Sequence, residues 1–77
     1  MQLDILSPEK TLFSGEVVSV KLPGTAGVFE VLDHHAPLIS TLEPGNVRVR
    51  PKSGDDQNFE IAGGIVEVLD NTVTVMV

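Results

Sequence analysis

Phe59-Glu60-Ile61-Ala62-Gly63-Gly64-Ile65-Val66-Glu67-Val68-Leu69-Asp70-Asn71-Thr72-Val73-Thr74-Val75-Met76-Val77 is the stretch whose reading decides the fold. Phe59 and Ile61 share one face and Glu60 the other. Val66 and Val68 alternate with Glu67. Val73, Val75 and Val77 alternate with Thr72, Thr74 and Met76. A period of two in β-branched residues is the mark of a half-buried strand. The punctuation agrees. Gly63-Gly64 permits a sharp bend and a close backbone approach between two strands. Leu69-Asp70-Asn71-Thr72 predicts a tight hairpin, because Asp and Asn tolerate left-handed backbone.

The same period runs outward from this stretch. Gln2–Leu6 places Leu3 and Ile5 on one face, and Val47 and Val49 alternate with Arg48 and Arg50. Glu16–Leu22 predicts Val18, Val20 and Leu22 inside, with Val17, Ser19 and Lys21 outside. Turn chemistry recurs at Ser7-Pro8, Ser14-Gly15, Pro23-Gly24, Ala36-Pro37, Pro44-Gly45 and Ser53-Gly54-Asp55-Asp56, and Lys52–Asp56 predicts a hairpin tip. Pro23 to Pro37 breaks the alternation and reads as a long, partly apolar loop that carries Val28, Phe29, Val31 and Leu32. Pro37 reads as following a strand start. No window shows the 3.6-residue period of a helix. The expected fold is all-β: a flattened sandwich or barrel of about eight to ten short strands, one domain over residues 1–77.

Composition narrows the function. The chain has 77 residues, no cysteine and a formal net charge of −6. A disulfide or a cysteine-based metal site is excluded, and the absence fits a reducing compartment. Phosphate backbones would be repelled, so nucleic acid is not an expected partner. The apolar runs fall far short of the roughly 20 residues of a membrane-spanning helix, so no direct membrane insertion is expected. Met1-Gln2-Leu3-Asp4 does not open a secretory leader.

No reading of the residues yields catalytic chemistry. His34 and His35 are adjacent, and in extended chain their side chains point opposite ways. No Gly-x-Ser-x-Gly elbow holds a serine. Glu30, Asp33, His34 and His35 match no zinc spacing, and Asp55-Asp56 lacks the alternating oxygen ligands of a calcium loop. Pro23-Gly24-Thr25-Ala26-Gly27 is followed by no Gly-Lys-Ser/Thr, so it is not a phosphate-binding loop. A chain this small offers no cleft for a carboxylate pair. No catalytic, cofactor or metal site is expected. One rival is a carrier or adaptor sandwich with a modified lysine at a hairpin tip. Lys52 stands there, but between Pro51 and Ser53 rather than the flanks such carriers show.

The order of motifs resembles a known family. Leu3-Asp4-Ile5-Leu6-Ser7-Pro8-Glu9 is followed by Leu12-Phe13-Ser14-Gly15-Glu16-Val17, then by Pro23–Gly27. Next come His35-Ala36-Pro37-Leu38-Ile39, Leu42-Glu43-Pro44-Gly45-Asn46-Val47 and Ile61-Ala62-Gly63-Gly64-Ile65-Val66-Glu67-Val68. The ordered set resembles the N-terminal β-sandwich domain of the epsilon subunit of the rotary ATP synthase, called delta in mitochondria. The resemblance implies a non-catalytic central-stalk subunit that docks the gamma subunit to the ring of c subunits. It would couple proton- or sodium-driven rotation to ATP synthesis, on the cytoplasmic face of the bacterial inner membrane. It implies a ring-facing surface of Thr25, Val28, Phe29, Asp33, His34, His35 and Leu38. Val17, Leu69 and Met76, as outward apolar residues, are the candidates for the gamma contact. Two departures stand out: Asp33-His34 replaces the Pro-Gly or Pro-Asn of many relatives, and Glu30 stands where a glycine is common. Most relatives continue into a pair of α-helices that carry ATP binding and inhibition of hydrolysis. Ending at Val77, this chain is expected to lack the helical hairpin and both properties.

Overall fold

A computed structural model describes all 77 residues, and every regular element is a strand. In chain order they are β1 (Gln2–Leu6), β2 (Thr11–Gly24), β3 (Gly27–Leu32), β4 (Leu38–Leu42), β5 (Gly45–Pro51), β6 (Gln57–Ile61), β7 (Gly64–Leu69) and β8 (Thr72–Met76). All belong to one continuous sheet folded into two layers. The 14-residue β2 makes the fold. Its first half pairs with β1, and its second half pairs with β3 on one edge and β5 on the other. One layer therefore runs β4–β7–β8–β1–β2 and the other β3–β2–β5–β6. A single bridge, Gly24 to Leu42, joins β2 to β4. All pairings are antiparallel except β1 with β8.

The space between the layers is filled by 15 apolar residues drawn from every strand plus Met1, nine of them valines. That predominance follows from the pleat, where β-branched side chains pack well against cross-strand neighbours. Leu3, Ile5, Val47, Val49, Val66, Val68, Val73 and Val75 all face inward, as their alternation requires. Phe13 and Phe59 close one side with ring centroids 6.0 Å apart, edge to face.

Within β2 the inward assignment of two valines is reversed. Val17 is 1 % exposed and Val18 is 41 % exposed. Val17 pairs with Pro51 and Ser19 with Arg50, which leaves Val18 unmatched. This is a β-bulge: one extra residue shifts the parity of everything before it. Pro51 has no N–H to offer the ladder at that point, and the next bond runs from Lys52 N to the Glu16 carbonyl at 3.1 Å. Ser19 sits on the outer side, yet it is buried, flanked in register by Leu32 and Arg50.

The segment from Pro23 to Pro37 is not a loop. Pro23-Gly24 ends β2, Thr25-Ala26 turns, and Gly27–Leu32 returns as β3 in register with Ser19–Gly24. Only Asp33–Pro37 is irregular, and Pro37 precedes β4 rather than following a strand start. Ser14-Gly15 also lies inside β2 rather than in a turn. The hairpin expected at Asp70-Asn71 forms, with φ of 50° and 58°. The Pro51–Asp56 hairpin between β5 and β6 forms as well.

Two contrasts test this architecture. A Cβ at Gly64, where φ is 155°, would run into the Met76 carbonyl oxygen. Gly54, at φ 98°, has nothing within 4 Å. Urea unfolding should show Gly64→Ala losing about 3 kcal/mol and Gly54→Ala about 1 kcal/mol. The bulge predicts that Val17→Ala costs about 2 kcal/mol and Val18→Ala much less. Equal losses at Val17 and Val18 would contradict the parity shift.

Candidate functional site

The residues expected to form one ring-facing surface divide between two ends of the sandwich. Thr25 lies in the β2–β3 turn. It is held by its N–H to the Thr41 carbonyl at 3.1 Å and by a 2.8 Å contact between the two hydroxyls. Val28, two residues past Ala26, is 65 % exposed. Phe29 points the other way and packs against the core. Gly24 makes room for its ring, since a Cβ there would stand 2.8 Å from it.

Asp33, His34, His35 and Leu38 lie at the far end of β3, about 17 Å away at the usual rise per residue. His34 adopts φ 60°, and its N–H donates to Asn71 Oδ1 at 2.7 Å. The β3–β4 corner is thereby tied to the β7–β8 turn. His35 N–H donates to the Leu32 carbonyl at 3.2 Å, and its ring Nδ1 lies 2.7 Å from the Ala36 carbonyl. Leu38 opens β4 and packs against the core. Thus Thr25 and Val28 form one tip, while Asp33, His34 and His35 form a corner at the opposite end.

Asp33 anchors that corner. Its Oδ1 accepts a 2.7 Å hydrogen bond from the Met1 ammonium, which also donates to the Val17 carbonyl at 3.1 Å. The bond from the ammonium, with smaller help from that charge, His34 and Asn71, holds the Asp33 carboxyl below the usual carboxylate range.

A third feature lies on the outer side of the β4–β7–β8–β1 layer. Ile39 is 73 % exposed, and Leu69 and Met76 are about half exposed at 49 % and 47 %. Ile65 joins them, cross-strand to Met76. Ile39 is cross-strand to Glu67 and diagonal to both Ile65 and Leu69. Pro37, Leu38, Ile39, Glu67, Val68 and Leu69 border a shallow hollow of about 330 Å³ on this side. Between the apolar residues stand Thr41, Thr72 and Thr74, and the central charges are Glu67 and Asp4. The outer side of the other layer is of different character. It pairs Arg48 with Glu30 at 3.4 Å and Arg50 with Asp56 at 3.4 Å.

Of the three expected gamma contacts, Leu69 and Met76 lie on this side, around Glu67, and Val17 does not. The bulge buries it in the core, where it cannot touch a partner. Ile39 and Ile65 were not expected on that surface. The signal for Ile65 is its parity with Glu67, opposite to the buried Val66 and Val68. Ile39 was hidden because β4 is short and follows a proline. No three His, Asp or Glu side chains converge where a metal ion could sit. Lys52 stands at the base of its hairpin, its N–H held by Glu16, rather than at the tip.

The acid response of the corner follows from its geometry. A carboxyl whose pKa is lower folded than unfolded stabilises above its unfolded pKa and loses that contribution as pH falls through the folded value. Thermal unfolding of wild type should therefore show an acid-side loss below about pH 4 that is smaller in Asp33→Asn. Identical acid profiles would remove Asp33 as an anchor.

Comparison with known proteins extends these observations. The family described as "ATP synthase, Delta/Epsilon chain, beta-sandwich domain" matches residues 1–77. The ATP synthase epsilon chain of Bordetella petrii is 43% identical over 76 residues, which is 99% of this chain and 54% of that protein. The epsilon chain of Chlorobaculum tepidum is 48% identical over 69 residues, 90% of this chain and 78% of that protein. The chain thus spans little more than half the length of the Bordetella relative. A chain in the cryo-EM structure of the Tetrahymena thermophila mitochondrial ATP synthase central stalk and c-ring superposes with a TM-score of 0.85 at 22% identity, covering 99% of this chain and 61% of that one. A chain of the Euglena gracilis mitochondrial ATP synthase, in a structure of OSCP, F1 and the c-ring, gives a TM-score of 0.88 at 24% identity, covering 96% of this chain and 48% of the other. These two likenesses carry the fold, and the family match runs the full length. With eight strands in two layers, a valine-rich core and a match from Met1 to Val77, the chain belongs to the β-sandwich domain family of ATP synthase delta and epsilon chains.

Proposed function

We propose that this domain is a non-catalytic coupling piece of the central stalk of a proton- or sodium-driven ATP synthase. It docks the gamma subunit to the c ring and carries rotation between them. Its place is peripheral, on the cytoplasmic face of the bacterial inner membrane. The observation that carries the reading is the contrast between its two outer sides. One layer exposes Ile39, Ile65, Leu69 and Met76 around the carboxylate of Glu67, whereas the other exposes Val28 and Leu32 beside two ion pairs. A contiguous exposed apolar patch on a small domain marks a docking surface. Glu67, at its centre between Ile39, Ile65 and Leu69, would need a polar or cationic partner on the docked surface. Membership in the ATP synthase delta/epsilon family supports the choice of the gamma subunit as the occupant.

The hollow beside Pro37 and Leu38 is continuous with Ile39 and Leu69. The His34–Leu38 corner therefore belongs with the gamma surface in this reading. The ring contact falls to the other end, at the Thr25–Val28 tip. Phe29 supports that tip from inside. A closed sandwich suits a part docked at two places, because packed interiors deform little under load.

Co-purification from membranes that contain the other subunits tests the reading. Wild type should bring down both gamma and the c ring. Leu69→Asp and Ile39→Asp each remove the burial of an apolar side chain and add a charge to be desolvated. They should lower gamma capture about tenfold or more. Val28→Asp should weaken the ring contact with gamma retained. Arg50→Asp, on the salt-bridged side, should change neither. Failure of wild type to capture either partner would overturn the stalk reading. Loss of gamma with Arg50→Asp but not with Leu69→Asp would reverse the choice of face.

A further inference from the structure

The outer side of the β3–β2–β5–β6 layer carries a second, chemically different feature. A groove of about 420 Å³ lies between β2, β5 and the Glu43–Pro44 corner, lined among others by Lys21, Pro23, Val28, Glu43, Asn46 and Arg48. Lys21 and Arg48 stand directly opposite each other across the β2–β5 ladder. Like charges in that relation are destabilising. Glu30 is the register partner of Lys21 on β3. Its carboxylate nevertheless lies 3.4 Å from Arg48 Nη2, and Lys21 makes no ion pair. Arg48 Nε is buried and has no hydrogen-bond partner. A chain of net charge −6 therefore keeps an unpaired ammonium beside a guanidinium answered only at Nη2, by Glu30, with its unpartnered Nε closed to solvent.

We propose that this groove binds a free phosphate ion. Arg48 offers the guanidinium N–H groups that Glu30 does not hold, and Lys21 offers a mobile point charge. An anion between them turns a repulsive cross-strand pair into two attractive ones. The groove has room for the ion with part of its hydration shell. Glu43 on the rim works against binding, and Glu30 already takes one edge of the guanidinium. The site is accordingly weak, in the millimolar range. It lies on the side away from Ile39, Leu69 and Met76, so it is independent of the gamma reading, but it shares Val28 with the proposed ring contact.

The test is an NMR titration of the isolated chain with potassium phosphate, against potassium chloride at matched ionic strength. The backbone amides of Lys21, Asn46 and Arg48 and the Arg48 Nε–Hε signal are followed. The expected result is saturable movement of these signals with phosphate and little with chloride. Lys21→Gln, at an exposed position that the fold does not need, should weaken binding about fivefold. Glu43→Gln should tighten it several-fold by removing the competing carboxylate. Linear shifts without saturation, equal shifts with chloride, or unchanged binding in Lys21→Gln would each overturn the proposal.

Discussion

Val17 and Met1 exchange two backbone hydrogen bonds, 2.9 Å and 3.1 Å long, at the middle of β2. There the strand passes from one layer to the other. Before this point β2 is paired with β1, and beyond it with β3 and β5. One strand must therefore present its inward side chains to the same core from both layers. An unbroken two-residue period cannot manage this through a sharp change of direction. The extra residue at Val18 supplies the bend and the added twist. With it, Val17, Val20 and Leu22 all face the interior. The double layer, the closed core and the two outer sides depend on that junction.

From the junction the placement of functional residues follows. Because β3 returns along β2, the Thr25–Val28 tip and the Asp33–His35 corner are held apart by the length of a strand. Each end is tied to a different neighbour: Thr25 to Thr41, and the corner to Met1 and Asn71. These are short hydrogen bonds between elements distant in sequence. They fix loops that would otherwise be mobile on so small a body. A domain proposed to dock two partners at once benefits from such fixed ends. Most of its interface ordering is then complete before the partners arrive.

The two outer sides differ because their strands differ at alternate positions. On β4, β7 and β8 the outward residues include Ile39, Ile65, Leu69 and Met76, separated by threonines and Glu67. On β2 and β5 they are Lys21, Arg48 and Arg50, answered in part by Glu30 and Asp56. Apolar area released from water can drive association, whereas exposed ion pairs contribute little. The division of labour between the sides is thus written in residue type, but only once each strand is assigned to its layer.

The sequence by itself determined the all-β class, the inward faces of β1, β5, β6, β7 and β8, and the hairpins at Asp70-Asn71 and Lys52–Asp56. Those strands are short and regular, so a period of two and local turn chemistry are enough to place their side chains. The ordered motifs also carried the family. Tertiary structure alone decided three things: that Val17 is core and Val18 is surface, that Gly27–Leu32 is a strand, and that the expected contact residues divide between two ends. Each depends on pairing between segments far apart in the chain. A bulge is defined by what lies opposite it, here Pro51 and Arg50, and a strand with only one neighbour is recognised by that neighbour. Alternation within a segment records which residues share a side, and only the partner strand records which side is in.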